Sequence, residues 1–208
     1  MTITADGRTR SDPYLQDANT TAHVVAAFAL QTPFRTVDAK MIPVLAYMAD
    51  RQHCILTGAP ILHAERASTP IGPVNATVAA LVSEDPMLRP SDEMRAAWSS
   101  MLERRGSRIR LRPGITADDL DELSRAHWDS IEKTWQAFGT MDDVTFMTWA
   151  RSRSGMIDDP LAEWDPVGVG SIPIEATLMG IGMDAATAAE CAQHERDMRG
   201  VSLVLHGY

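Results

Sequence analysis

The sequence predicts a mainly α protein, a compact multi-helix domain carrying a small two- or three-stranded β element. Three observations support that class. Apolar residues recur at helical spacing through most of the chain, as in Val74, Val78, Leu81 and Val82. Hydroxyls, carboxylates, prolines and glycines stand where helices begin and end. Strict alternation is confined to two short stretches, Pro60 to Pro70 and Arg108 to Arg112.

Taken in order, residues 1–18 read as a polar tail containing Asp12-Pro13. Thr20 or Thr21 then caps a helix with Val24, Val25 and Phe28 on one face, and Pro33 stops it. A second helix is expected from about Lys40 to Leu56, either starting at Pro43 or kinked there, because proline suits a first turn but not an interior. Leu45, Met48, Ala49 and the stem of Gln52 form its buried stripe, and Gly58 closes it in the left-handed conformation. From Pro60 to Pro70, Ile61, His63, Glu65 and Ala67 alternate with Leu62, Ala64 and Arg66, which predicts a short strand or hairpin. Gly72-Pro73 is expected to open the next helix, which Pro86 and Pro90 end.

Ser91 caps a helix with Met94, Trp98, Met101 and Leu102 inward. The alternating segment "RIRLR" is a strand able to pair with the first. Thr116 with Asp119, and Thr140 with Asp143, resemble capping boxes. Between them Leu120, Leu123, Ile131, Trp135 and Phe138 make one long helical stripe ending at Gly139. A shorter helix holds Val144 and Met147 and ends before Gly155. Pro160, Pro166, Gly168 and Gly170 form a linker, followed by Pro173 to Met179, a break at Gly180 and Gly182, and a last helix from Asp184 to Met198 stopped by Gly200. The organisation expected is a tail over 1–18, a helical domain over 19–166, and a C-terminal linker and helical extension over 167–208 that packs on it.

At 208 residues the chain is long enough to bury a real core in one domain. Its formal net charge of −9 disfavours nucleic acid and anionic membranes as partners, since both reward clustered cations. The N-terminus lacks the apolar core of a signal peptide, and no run approaches the roughly 20 apolar residues of a membrane span, so the cytosol is the expected compartment. Cys54 and Cys191 are far apart and without metal-binding spacing, which favours two buried thiols.

Chemical motifs are sparse. None of the six histidines shares a metal-ligand spacing with another. Ser91, Ser124, Ser154 and Ser171 lack the glycine elbow of a hydrolase nucleophile. "GVGSIP" lacks the third glycine of a dinucleotide loop. The pairs Asp118-Asp119, Asp142-Asp143 and Asp158-Asp159 sit at helix starts, where they favour the positive end of the dipole. No catalytic, cofactor or metal site is expected. Arg104, Arg105, Arg108, Arg110 and Arg112 concentrate cations on an acidic chain; a charged edge strand explains three of them, and a docking patch for an acidic surface is the competing reading.

The stretch "YMADRQHCILTGAPILHAERASTPIGPVNATVAALV" resembles the core of the Panacea domain, the family of SocA-like antitoxins and phage-associated proteins. The family pattern has an apolar helix ending in tyrosine, leucine, alanine and aspartate, a "G-x-P-I" turn, a short strand and "GPV". Its counterparts here are Tyr47 to Arg51 with Asp50, Gly58 to Ile61, and Gly72, Pro73 and Val74. Farther on, Trp98 before the alternating segment, "GITADDLDEL", "TWQAFGTMDDVTFMTWA" and "DDPLAEW" with Trp164 keep the family order, over about residues 20–166. The histidine usual before the closing tryptophan is absent. The resemblance implies a cytoplasmic antitoxin that neutralises a cognate protein toxin by direct binding, without catalysis. Arg51, Arg66, Arg108 and Arg110 are the candidate toxin contacts. The alternatives from other classes are an adaptor that hands a partner to a protease, a phage or mobile-element regulator, and, against the charge, a DNA-binding repressor.

Overall fold

The computed structural model describes residues 13–83, 90–153, 161, 163–165, 167 and 170–205. The protein is mainly α, with eight helices and two three-stranded antiparallel sheets among the described residues. Two helices form its centre. α1 (Pro13–Leu30) is buried without interruption from Thr20 to Ala29, and α2 (Ile42–Thr57) from its start to Arg51. Helices apolar on every side belong inside a core rather than on its surface. α1 packs against α4 (Asp92–Met101), and α2 against α5 (Arg125–Phe138). Phe28, Ala46, Val78 and Ile131 meet in the resulting cluster.

The first sheet has the order β1 (Thr36–Asp38), β5 (Arg108–Leu111), β4 (Leu102–Arg105). The second has the order β3 (Gly72–Asn75), β2 (Arg66–Thr69), β6 (Gly170–Ser171), so a strand from late in the chain extends a hairpin from early in it. β3 lies against α2, where Val44, Tyr47 and Met48 pack on Val74, Phe146 and Trp164 in a second cluster. A third cluster closes the C-terminal end of α2. Cys54 packs there on Ile174 and Leu178 of α7 (Ile174–Gly180) and on Ala188 and Ala192 of α8 (Ala185–Leu205). Burial pushes the Cys54 thiol up to about 12, with the Asp50 charge adding to the shift, and the thiol stays protonated at neutral pH. Neither cysteine is in a disulfide.

Several boundaries follow the sequence closely. Proline stands in the first turn of α2, Gly58 closes that helix at φ +77°, and Ser91 caps α4 by accepting from the Met94 N–H. Others differ, each for a local reason. α1 already covers Pro13, so residues 13–18 are helix rather than tail and Thr20 and Thr21 are buried within it; the rest of that tail lies outside the described residues. Gly72-Pro73 does not start a helix. It opens β3, and α3 (Ala76–Val82) starts only where Asn75 can cap it by accepting from the Val78 N–H at 3.1 Å. The strand expected over 60–70 is confined to Arg66–Thr69, since Ile61 and Leu62 are both drawn inward.

β5 is central in its sheet, flanked on both sides, so its arginines do not guard an edge, and it does not pair with β2. The stripe from Leu120 to Phe138 is broken: a short 3-10 turn at Ala117–Asp119 carries the Thr116 capping box, and Ser124 restarts the chain as α5. For α6 (Asp143–Arg153) the N-terminal acceptor is Asp142, which takes the Thr145 N–H at 2.7 Å; Thr140 is not the cap. α8 passes through Gly200, which costs a helix interior only about 1 kcal/mol. Pro160, Pro166 and Gly168 of the expected linker, and the loop at Pro86, lie outside the described residues. No described helix is long and apolar enough to cross a membrane.

Gly72 shows why the "GPV" stretch needs its glycine. Its φ is +136°, and an added Cβ would stand 2.9 Å from the Phe146 ring. Gly72→Ala is expected to lower unfolding stability by about 2–4 kcal/mol through backbone strain and overpacking, read as a lower urea midpoint. A midpoint equal to that of the parent would remove this account of the turn.

Candidate functional site

Charged residues are expected in water, yet α2 buries two in succession. Asp50 is 2 % exposed and Arg51 is 6 % exposed. Each belongs to a separate set of polar contacts, because successive residues of a helix do not face the same way, so Arg51 turns to one side of Tyr47 and Asp50 to the other.

The first set centres on Glu163. The Tyr47 hydroxyl donates to its Oε1 at 2.5 Å, and Arg51 Nε donates to the same oxygen at 2.9 Å. Arg51 Nη2 donates to the Gly180 carbonyl at 2.9 Å. Glu163's side chain is fully buried, and its Oε2 has no hydrogen-bond partner among the described residues. Gly180 lacks a side chain at the point of closest approach, since a Cβ there would collide with the Glu163 carboxylate. Burial first, and then the Glu163 charge, hold the Tyr47 phenol well above its ordinary value, so it stays a donor.

The second set centres on Asp50. Its Oδ1 accepts from the Leu62 N–H at 2.8 Å and its Oδ2 from Asn75 Nδ2 at 3.2 Å. Asn75 thus works twice, capping α3 with its oxygen and holding Asp50 with its nitrogen. Burial raises the Asp50 carboxyl to about 6, the two hydrogen bonds and the nearby Arg66 charge offsetting only part of the desolvation. Arg66, 4 % exposed, lies between Asp50 and Glu195, whose Oε1 is 3.7 Å from its Nη2. His63 Nδ1 is also 3.7 Å from that oxygen.

A serine and a histidine also meet inside the fold. His53 Nδ1 lies 3.1 Å from Ser130 Oγ, and that hydroxyl donates to the Ala126 carbonyl. Its only proton is thereby committed, so the imidazole must donate to the oxygen instead of accepting from it. That polarity is opposite to the one a nucleophile requires of its base. Burial pushes both His53 and its edge-on neighbour His127 below their ordinary values.

These positions decide which expected contacts can touch another molecule. Arg51 and Arg66 cannot as the chain stands, because Arg51 is buried with its donors taken by Glu163 and Gly180 and Arg66 is only 4 % exposed; the expectation that they meet a toxin is corrected by their burial. Arg108 and Arg110 are exposed on one face of β5, with Ile109 and Leu111 inward. Arg108 lines a groove of about 450 Å³ between β1 and the turn joining α5 to α6, and Phe34, 84 % exposed, stands on the same rim. Of the remaining motif residues, Trp164 is buried and donates from Nε1 to the Thr69 carbonyl at 2.9 Å, Val74 packs in the second cluster, and Trp98 in the first. Pro73 stands opposite Ser68 in the hairpin.

Glu163, Gly180, Asn75, Glu195 and Ser130 carry the interior polar contacts and were not signalled by spacing. The one available signal was the pair Asp50-Arg51 inside an apolar helical run, which demands partners from elsewhere. No group of three or more metal-ligating side chains occurs among the described residues. Comparison of the chain with family models, with curated proteins and with solved structures finds no match.

Proposed function

We propose that this chain is the antitoxin of a type II toxin-antitoxin system, acting in the cytosol by binding a cognate protein toxin directly. The observation that carries the reading is the ordered series of motifs resembling the Panacea domain, from Tyr47-Met48-Ala49-Asp50 through Gly72-Pro73-Val74 to Trp164. The geometry supports a particular division of labour within it. The motif residues secure α2 to the hairpin and to the late chain, and so serve the scaffold, while recognition falls to exposed groups such as Arg108, Arg110 and Phe34. Arginine and aromatic side chains are the types that most often anchor interfaces.

The test is to look for a short reading frame beside this gene and to express it alone and together with the chain; absence of such a frame weakens the proposal sharply. Growth arrest by the first, relief by the second and co-elution of the two proteins are expected; arrest that persists despite soluble chain overturns the proposal. Reversing charge at both Arg108 and Arg110 (to Glu) is expected to weaken toxin binding at least tenfold at an unchanged thermal midpoint, as measured by calorimetric titration. Unaltered affinity would take the β5 face out of the interface. The adaptor alternative predicts a different readout, accelerated turnover of the partner in a protease-proficient strain.

A further inference from the structure

The first sheet turns a cationic face outward on a chain of formal net charge −9. Its ladder sets Arg108 opposite Asp38 on one side and Arg105 on the other, and Arg110 opposite Thr36 and Glu103. Ile109 and Leu111 point inward, so these residues share the outer face, and Arg112 continues the alternation just past the strand. Four arginines therefore stand there with two carboxylates, Glu103 and Asp38. Unlike Arg51 and Arg66, these cations can be reached from outside. The side chains of Arg105 and Arg110 are 64 % and 47 % exposed, and Arg108 and Arg112 are exposed as well.

The internal partners do not meet this charge. Both Glu103 oxygens take Arg105, at 3.0 and 3.2 Å, and Arg110 stands 4.0 Å from one of them. Asp38 turns its Oδ1 to the Lys40 and Met41 N–H groups, and Arg112 Nε donates to the Ser99 carbonyl. Arg108 has no ion pair among the described residues and faces Arg105 directly across the ladder, a like-charge opposition that costs stability. Edge protection does not account for it, because β5 is central. A carboxylate brought by another molecule would relieve it.

Beside Arg108 the surface continues into the 450 Å³ groove, where Met41, Leu45 and Trp135 lie below the exposed Phe34 ring. Arg35, next to Phe34, holds φ +54°, a conformation uncommon outside glycine and concentrated at ligand clamps. On the far wall Asp142 and Asp143 accept from the Thr145 and Val144 N–H groups, and Asp143 also lies 3.7 Å from Lys40. Those carboxylates repel an anion from the groove itself, so the groove suits an uncharged apolar side chain while the sheet face suits carboxylates.

We infer that this surface receives an acidic segment of a partner protein, with an apolar side chain under Phe34 and carboxylates on Arg108 and Arg110. The partner is the toxin on the reading proposed above, and the inference rests on that reading only for its identity. Alternate residues of an extended segment face one way about 7 Å apart, the spacing of Arg108 and Arg110 along β5. The ¹⁵N-labelled full chain is titrated with acetyl-Leu-Gly-Glu-Gly-Glu-amide, with its glutamine counterpart and with an octameric oligouridine, while the amides of Phe34, Arg108 and Ile109 are followed by NMR. The glutamate peptide is expected to give saturable shifts there, with affinity at least fivefold above that of the glutamine peptide. Arg108→Gln, at an exposed position that spares the fold, is expected to weaken it at least fivefold. No saturable shift, equal affinity for the two peptides, or an unchanged response in Arg108→Gln overturns the inference. Tighter binding of oligouridine at the same amides would make the face a nucleic-acid site and overturn it too. No toxin enters the titration, so its failure leaves the co-expression test standing, and failed rescue in cells leaves this binding intact.

Discussion

Replacing Glu163 by alanine is expected to lower the free energy of unfolding by about 3–5 kcal/mol, the range for breaking a buried ion pair by removing one partner. The cost arises from what remains. The Arg51 side chain is 7 % exposed and would keep its charge with only the Gly180 carbonyl as acceptor, and the Tyr47 hydroxyl would lose its acceptor at the same stroke. Glu163→Gln retains an oxygen at the shared position and is expected to cost about half as much, since the hydrogen bonds can survive while the charge does not. Urea denaturation of the three proteins reads the difference, and the double variant Glu163→Ala with Arg51→Ala should be less damaging than the sum of its parts by about 1–3 kcal/mol. Additivity, or a midpoint unmoved by Glu163→Ala, would show that these groups do not act as a unit.

Asp50 gives the second large effect, and its sign runs against the usual behaviour of acidic residues. Its carboxyl is raised to about 6 in the folded protein, against 3.8 for an unperturbed aspartate. The folded state therefore holds the proton more tightly than the unfolded chain does, and this term stabilises fully below pH 3.8 and is lost as pH climbs through 6. About two pH units of difference correspond to about 3 kcal/mol. Asp50→Asn cannot titrate, so its stability relative to the parent should improve by about 2–3 kcal/mol between pH 4 and pH 7. Comparison of urea midpoints at the two pH values checks this, and other acids cancel because both proteins carry them. A relative stability that stays flat, or falls as pH rises, would contradict the burial-dominated environment of Asp50.

How far the sequence foretold these features depends on how local each feature is. Gly58, Ser91 and Thr116 were legible because a cap is a bond between neighbours, and the spacing itself states the geometry. Gly72-Pro73 was misread for the opposite reason. Proline fits equally at a helix start and in a short strand, and only the distant Phe146 ring and the cap at Asn75 decide between them. Tyr47, Asp50 and Arg51 could be found as a motif, but whether Tyr47 and Arg51 faced outward depended on Glu163 and Gly180, more than a hundred residues later, and whether Asp50 did depended on Leu62 and Asn75. Arg108 and Arg110 were located correctly by alternation, though the strand's two neighbours, and hence the reason for its charges, were not visible.

That distance also governs how the protein comes into being. Tyr47 and Arg51 meet Glu163 across 116 and 112 residues, and Arg51 reaches Gly180 across 129. A chain emerging from the ribosome holds α2 complete long before any of these partners exists, so the cation at its centre must wait in water or in a loosely formed intermediate. Native contacts of such span make folding slow, because the entropy of closing a large loop is spent before the contacts form. Synthesis of the last fifth of the chain thus becomes the event that commits the first third to its final packing. A stalled or proteolysed product lacking that part would leave Tyr47 and Arg51 without Glu163 and the Cys54 end of α2 uncovered, the kind of species quality control removes.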